Sequence, residues 1–174
     1  MTVRILLCAA LAVALAACAA VALKQRAPKL PMKASITYLH LLRHTPFFTE
    51  LDTDQLRWVI RHSREWEVQP GTLVVYDALA SERAGYWILL DGGWTLDYRG
   101  QTHASGHADP GKWFEAGQLP GPYRLWAHEH SYVMQITAAD MQAMLARGFP
   151  FQRHLEQGRD FYRSISIADI AAPR

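Results

Sequence analysis

The sequence predicts a mainly β fold with flanking helices, a jelly roll preceded by an N-terminal apolar helix. Three observations carry this prediction. Short segments of period two, separated by Gly and Pro turns, fill the middle of the chain; capped helical segments bracket them; and one uninterrupted apolar run opens the sequence. At 174 residues the chain is the size of one domain. With 18 Lys plus Arg against 16 Asp plus Glu, a net charge of +2, Gly 11 and Pro 9, it is no disordered polyelectrolyte, collagen-like repeat or strongly basic nucleic-acid binder.

Residues 1–23 carry one charge, Arg4, and are apolar from Ile5 to Leu23. A run of that length crosses a hydrocarbon core of about 30 Å at a rise of about 1.5 Å per residue. The same segment reads as a secretory signal, with Leu15-Ala16-Ala17-Cys18 as a small-residue cleavage site. Those four residues resemble a bacterial lipoprotein lipobox, which implies lipidation at Cys18. Apolar residues continue past Cys18, and the bases Lys24, Arg26, Lys29 and Lys33 follow, a pattern that fits an uncleaved anchor with the domain on the cytoplasmic side. Both readings stand. Each makes the membrane a partner through residues 5–23 and the location membrane-anchored in a bacterium, with the side of the membrane open. Cys8 and Cys18 are the only cysteines, so the domain has neither a disulfide framework nor a thiolate metal site.

Residues 24–33, interrupted by Pro28 and Pro31, form the expected basic linker, and residues 34–174 the expected domain. Ile36, Leu39, Leu41 and Leu42 predict a short helix that stops before Thr45-Pro46. Asp52 or Thr53 caps a second, with Leu56, Val59 and Ile60 on its apolar face; acids at a helix start explain Glu50, Asp52 and Asp54 without catalysis. From Arg64 the period becomes two. Strands are predicted around Trp66 and Val68 and over Thr72–Tyr76, Tyr86–Leu90, Trp94–Tyr98, Leu125–His128 and Tyr132–Thr137, with turns at Pro70-Gly71, Asp91-Gly92-Gly93, Arg99-Gly100, Asp109-Pro110-Gly111 and Leu119 to Pro122. Thr137 to Asp140 has the capping-box pattern and opens a helix, and Pro150 begins a last one running through Leu155 to Ile165.

This order of elements resembles the cyclic nucleotide-binding domain of catabolite-activator-type regulators and kinase regulatory subunits. The resemblance is carried by Thr45-Pro46-Phe47-Phe48 with Leu51, by Pro70-Gly71 and by Tyr86 to Gly92. Gly111-Lys112-Trp113-Phe114-Glu115 and the strand ending at Ile136 with its capped helix complete it. It covers roughly Leu39 to Ile165 and implies a double-stranded β-helix, a ligand-sensing role and a cyclic nucleotide as candidate ligand. In that family a phosphate-binding cassette presents backbone N–H groups, a Glu for the ribose and an Arg for the phosphate. The matching candidates are Gly111, Phe114, Glu115 and Arg124, with Trp113 and Trp126 flanking them. Three departures stand out. Glu115 follows Phe114 without the usual glycine, Leu119-Pro120-Gly121-Pro122 removes N–H donors, and alignment of the next strand puts the family's arginine position at Gly121. A phosphate buried without its cation costs several kcal/mol. Weakened or lost nucleotide binding, with a structural or partner-binding role, is therefore the expectation.

His128-Glu129-His130 offers an alternative. On a strand, residues two apart share a face, so His128 and His130, helped by His103 and His107, would form a cupin-like metal site. The Glu and Gly spacing that follows such a pair elsewhere is absent, and a solvated strand edge accounts for the histidines. No nucleophile elbow, phosphate loop, dinucleotide fingerprint or zinc spacing is present. Neither catalytic residues nor a cofactor are expected. The chain closes after its last helical segment without a helix-turn-helix pattern, so operator DNA is not an expected partner. The reading is a membrane-attached, non-enzymatic module for ligand sensing or protein interaction; the alternatives are a cupin-like metal-dependent enzyme and a structural subunit of a membrane complex.

Overall fold

The computed structural model describes residues 32–35 and 39–168. The expected anchor, Cys18 and most of the expected linker lie outside the described residues. Among the described residues no helix is long and apolar enough to cross a membrane.

The elements run β1 (Lys33–Ser35), α1 (Leu39–His44), a helical turn (Pro46–Phe48), α2 (Thr53–Arg61), β2 (Ser63–Val68), β3 (Leu73–Tyr76), a second turn (Asp77–Leu79), β4 (Tyr86–Asp91) and β5 (Gly93–Tyr98). They continue with β6 (Gln101–Gly106), β7 (Trp113–Glu115), β8 (Tyr123–Ala127), β9 (Ser131–Ile136), α3 (Ala138–Ala146) and α4 (Gln152–Ala168). Two antiparallel sheets result, ordered β1-β2-β9-β4-β7 and β3-β8-β5-β6.

Local chemistry explains the helix boundaries. Pro46 stops α1, and the Thr45 hydroxyl sits between the carbonyls of Leu41 and Leu90, 3.0 and 3.1 Å away, which ties α1 to β4. Asp52 caps α2 in a reciprocal box with Gln55, and Thr137 caps α3 by accepting from the Asp140 N–H. Glu50 and Asp54 instead pair with Arg153 and Arg57.

Strand alternation then divides the interior into two cores. Trp87, Leu89, Phe114 and Val133 of the first sheet meet Trp94, Leu96, Tyr123 and Leu125 of the second. Tyr86, Ile88, Trp113 and Met134 face the other way, against Phe47, Phe48, Met141, Phe151 and Leu155 of the helical layer. Each fully buried side chain of this size contributes about 1.5–3 kcal/mol.

Three strands escape the sequence pattern. β1 begins at Lys33, the last residue of the expected linker, and pairs it with Glu67. β6 is an edge strand joined only to β5 and shows no apolar alternation. β7 is three residues long and falls inside the cassette motif.

Candidate functional site

The candidate ligand residues lie on β7, on the loop after it and on β8, where alternation decides each direction. Phe114 enters the core between the sheets, and Trp113 is buried on the helix side. Glu115, two residues from Trp113, shares that side. Its carboxylate and the Arg159 guanidinium of α4 lie near the hydroxyl of Tyr86, its cross-strand partner on β4. Burial first, then the carboxylate, pushes the Tyr86 hydroxyl pKa up.

On β8 the side chains of Tyr123, Leu125 and Ala127 point inward, so Arg124 and Trp126 lie on the outer face of the second sheet. Asp97 of β5 gathers both there. One carboxylate oxygen accepts from Arg124 Nη2 at 3.3 Å and from Trp126 Nε1 at 3.1 Å, and the other accepts from the Thr102 hydroxyl at 3.1 Å. Glu115 and Arg124 thus sit on opposite sides of the roll, and Trp113 and Trp126 line no common pocket.

The space between the sheets is occupied by the protein itself. The Phe114 ring lies 5.1 Å from Tyr123 and 5.4 Å from Tyr162, which α4 inserts into this core. Tyr162 is 4% exposed, and its hydroxyl reaches the carbonyls of Trp113 at 2.8 Å and Gly111 at 3.1 Å. Burial raises its pKa, which keeps the phenol protonated and a donor. The Gly111 carbonyl also accepts from Trp94 Nε1 at 2.9 Å. A β-carbon at Gly111 would stand 2.3 Å from Ser105 Oγ and 2.7 Å from Phe161 Cε1, so this glycine permits close packing. The cassette loop is tied down as well: Tyr98 donates to the Pro120 carbonyl at 3.0 Å, and the Gly117 N–H donates to the Tyr123 hydroxyl at 2.9 Å.

The start of α4 rests on Trp113, whose Nε1 donates to the His154 carbonyl at 2.8 Å. Beside it two basic side chains are buried, Lys112 at 3% and His154 at 6% exposure. The Lys112 ammonium donates to the Asp109 carbonyl at 3.3 Å. Among the described residues neither ring nitrogen of His154 has a hydrogen-bond partner, and the ring stacks on Phe47 at 5.2 Å. Burial, then Lys112 and Arg153, lower its pKa against the opposing pull of Glu50.

His128 and His130 lie in the β8–β9 connection, not on a strand, so the shared-face argument fails. They point to different sheets. His128 Nδ1 bonds Thr95 on β5 at 3.0 Å, and His130 Nε2 bonds Glu67 on β2 at 3.0 Å. The bond to His130, followed by the charge of Lys33, lowers the Glu67 pKa. His107 approaches Asp91, and His103 sits on β6 opposite Leu96. Among the described residues no group of three or more metal-binding side chains is gathered.

Solved structures share this arrangement of two sheets and closing helices. CBD2 of PKAR, bound to Sp-2Cl-cAMPS, is 15% identical with a TM-score of 0.55, over 79% of this chain and 91% of that one. The sensor domain of the regulator DNR from Pseudomonas aeruginosa is 16% identical with a TM-score of 0.51, over 74% and 96%. The fold is that of a cyclic nucleotide-binding domain. The CO-dependent transcription factor CooA from Carboxydothermus hydrogenoformans, imidazole-bound, adds a TM-score of 0.57 at 14% identity, over 77% of this chain and 60% of that chain. At these identities the likeness is one of fold. No protein-family model matches the sequence, nor does any curated protein. Of these neighbours, one is named a sensor domain and another a transcription factor.

The residues that fill this cyclic nucleotide-binding fold went unseen in the sequence. Tyr162 and Gly158 carried no motif, yet Leu155, Gly158, Tyr162 and Ile165 recur at helical spacing on the buried face of α4. A glycine within that face was the available signal of a close approach.

Proposed function

We propose that this is a membrane-attached, non-enzymatic ligand-sensing or protein-interaction module in which cyclic nucleotide binding within the roll is weakened or lost. One observation carries the reading: Glu115 and Arg124 face opposite sides of a roll whose interior Phe114, Tyr123 and Tyr162 fill. A phosphate between the sheets would meet no guanidinium from Arg124, and uncompensated burial costs several kcal/mol. Pro120 and Pro122 further reduce the backbone donors that an anion needs. The neighbours support sensing as the broader role, since one is described as bound to a cyclic AMP analogue and another as CO-dependent.

Attachment rests on the apolar run Ile5–Leu23 and its basic collar. With Lys33 already paired in β1, the tether between anchor and sheet is short, and the domain is held close to the surface it works on. A protein partner in the same membrane is the occupant this reading implies.

Titration calorimetry of the full chain in mild detergent with cyclic AMP, cyclic GMP and cyclic di-GMP tests the reading. It predicts no measurable heat. Tight binding of any of the three overturns the weakened-site reading, and its loss in Arg124→Ala would return Arg124 to the ligand. Alkaline carbonate extraction of native membranes tests attachment: the chain stays in the pellet, and release into the supernatant contradicts the anchor.

A further inference from the structure

Among the described residues the two sheets end in four edge strands, β1, β7, β3 and β6. Unpaired backbone groups along such an edge invite another strand, and proteins blunt them with short length, charge, proline, a bulge or a covering side chain. Three of these edges are blunted. β1 is three residues long and carries Lys33. On β7 the Tyr162 hydroxyl donates to the Trp113 carbonyl at 2.8 Å. β3 has an irregular register between Leu73 and Val75, and the Arg83 guanidinium donates to the carbonyls of Leu73 and Val74.

β6 has none of these devices. Gln101-Thr102-His103-Ala104-Ser105 contains no acid, lysine, arginine or proline, and its register with β5 is unbroken. We propose that this edge pairs antiparallel with the β6 edge of a second copy of the chain, about a two-fold axis at His103. The second sheets of the two copies then become one continuous sheet, an interaction surface beyond the function proposed above.

Register fixes which groups are on offer. Hydrogen-bonded and non-hydrogen-bonded pairs alternate along an antiparallel ladder. The Gly93 carbonyl accepts from the His128 N–H at 3.2 Å, on the β8 side, so the pairs Gly93–Gly106, Thr95–Ala104 and Asp97–Thr102 are the ones not bonded between β5 and β6. Their β6 members turn N–H and C=O to the open side. Gly106 shows the direction: its N–H donates to the Asp109 carboxylate at 2.7 Å, and its carbonyl accepts from the Asp109 N–H at 3.1 Å. Thr102 and Ala104, both exposed, keep their outward N–H and C=O groups, which no backbone partner among the described residues engages.

The occupant follows from that spacing. With His103 on the axis, Thr102 of each copy stands opposite Ala104 of the other, and each such pair exchanges both of its hydrogen bonds. Every outward donor meets an acceptor, and none is left over. A longer foreign strand would run past this short edge into the Arg99-Gly100 loop on one side and the Gly106–Asp109 turn on the other, leaving its own groups unpaired. Charge does not oppose the contact, because Asp97 and Arg124 on the outer face of the same sheet already form an ion pair at 3.3 Å. A contact between single strands is small, so the dimer is a weak one that forms at high local concentration.

Sedimentation of the full chain in density-matched mild detergent, from micromolar to sub-millimolar protein, tests the proposal. A monomer–dimer equilibrium is expected. Ala104→Pro removes one N–H donor from each copy and should weaken the dimer by about tenfold or more. His103→Cys gives a second readout that does not depend on the proline variant folding. Residues facing each other at a non-hydrogen-bonded position have Cα atoms about 4.5 Å apart, within reach of a disulfide. Oxidation of His103→Cys with diamide should therefore link position 103 of two copies, identified by mass spectrometry of the joined peptides, whereas Arg64→Cys on the other sheet should not link to itself. A monomer at every concentration leaves the edge to a foreign strand and overturns the proposal. A dimer that Ala104→Pro does not weaken, or the absence of the link at position 103, places the contact elsewhere and also overturns it. Cyclic nucleotide calorimetry reports on the roll interior and carbonate extraction on the anchor, so those readings fail separately from this one.

Discussion

Tyr162 and Gly158 set how the last helix meets the roll. The Tyr162 hydroxyl shares its one proton between the carbonyls of Trp113 on β7 and Gly111 on the loop before it. Tyr162→Phe leaves them without that donor and should cost about 1–2 kcal/mol, read from urea unfolding. Equal stability would show that the hydroxyl is not a structural donor. Gly158 packs so closely that a β-carbon there would stand 2.2 Å from Trp113 Nε1. Gly158→Ala should therefore destabilise by about 1–3 kcal/mol and shift tryptophan emission, despite alanine's higher helix propensity. His154 adds a pH dependence with a definite sign. Its folded-state pKa is lowered, chiefly by burial and then by Lys112. Above about pH 6.5 both folded and unfolded forms are neutral at this ring; as pH falls below that value the unfolded chain takes up the proton first, so stability declines until the folded-state pKa is passed. Unfolding measured from about pH 7 to about pH 5 should show this loss, and His154→Phe should flatten it. An unchanged slope in the variant would remove His154 from the explanation.

At the scale of elements, the caps transmit sequence into structure most directly. Asp52 and Gln55 form a reciprocal box at the start of α2, and Asp52→Ala should cost about 1 kcal/mol in thermal unfolding. No loss would mean that packing of Leu56 and Val59 alone holds the helix. The legible elements were those with a cap, a proline stop, or an apolar or alternating run bounded by turns: the four helices and every strand but β1, β6 and β7. β6 was not legible because, of Gln101 to Gly106, only Ser105 is buried, so no apolar period marks it. β7 and β1 are too short to show a period, and their pairing comes from partners far along the chain, Tyr86 to Ile88 and Glu65 to Glu67. The directions of Glu115 and Arg124 were hidden for a related reason. With a period of two, a shift of one residue reverses a side chain, and alignment across a rebuilt loop does not settle register to one residue.

At the scale of the whole molecule, α4 joins the two cores: Leu155 belongs to the helical one, Tyr162 and Ile165 to the one between the sheets. A helix anchored in both cores is part of the folded unit, whereas a lid must exchange between states and respond to what binds beneath it. On the reading proposed above, α4 stays in place whether or not a nucleotide is present. The most direct measurement is hydrogen–deuterium exchange of the full chain with and without millimolar cyclic AMP, followed across residues 152–168. The account predicts slow exchange through the middle of α4 and the same protection in both conditions. Fast exchange in the free protein that slows when cyclic AMP is added would contradict it.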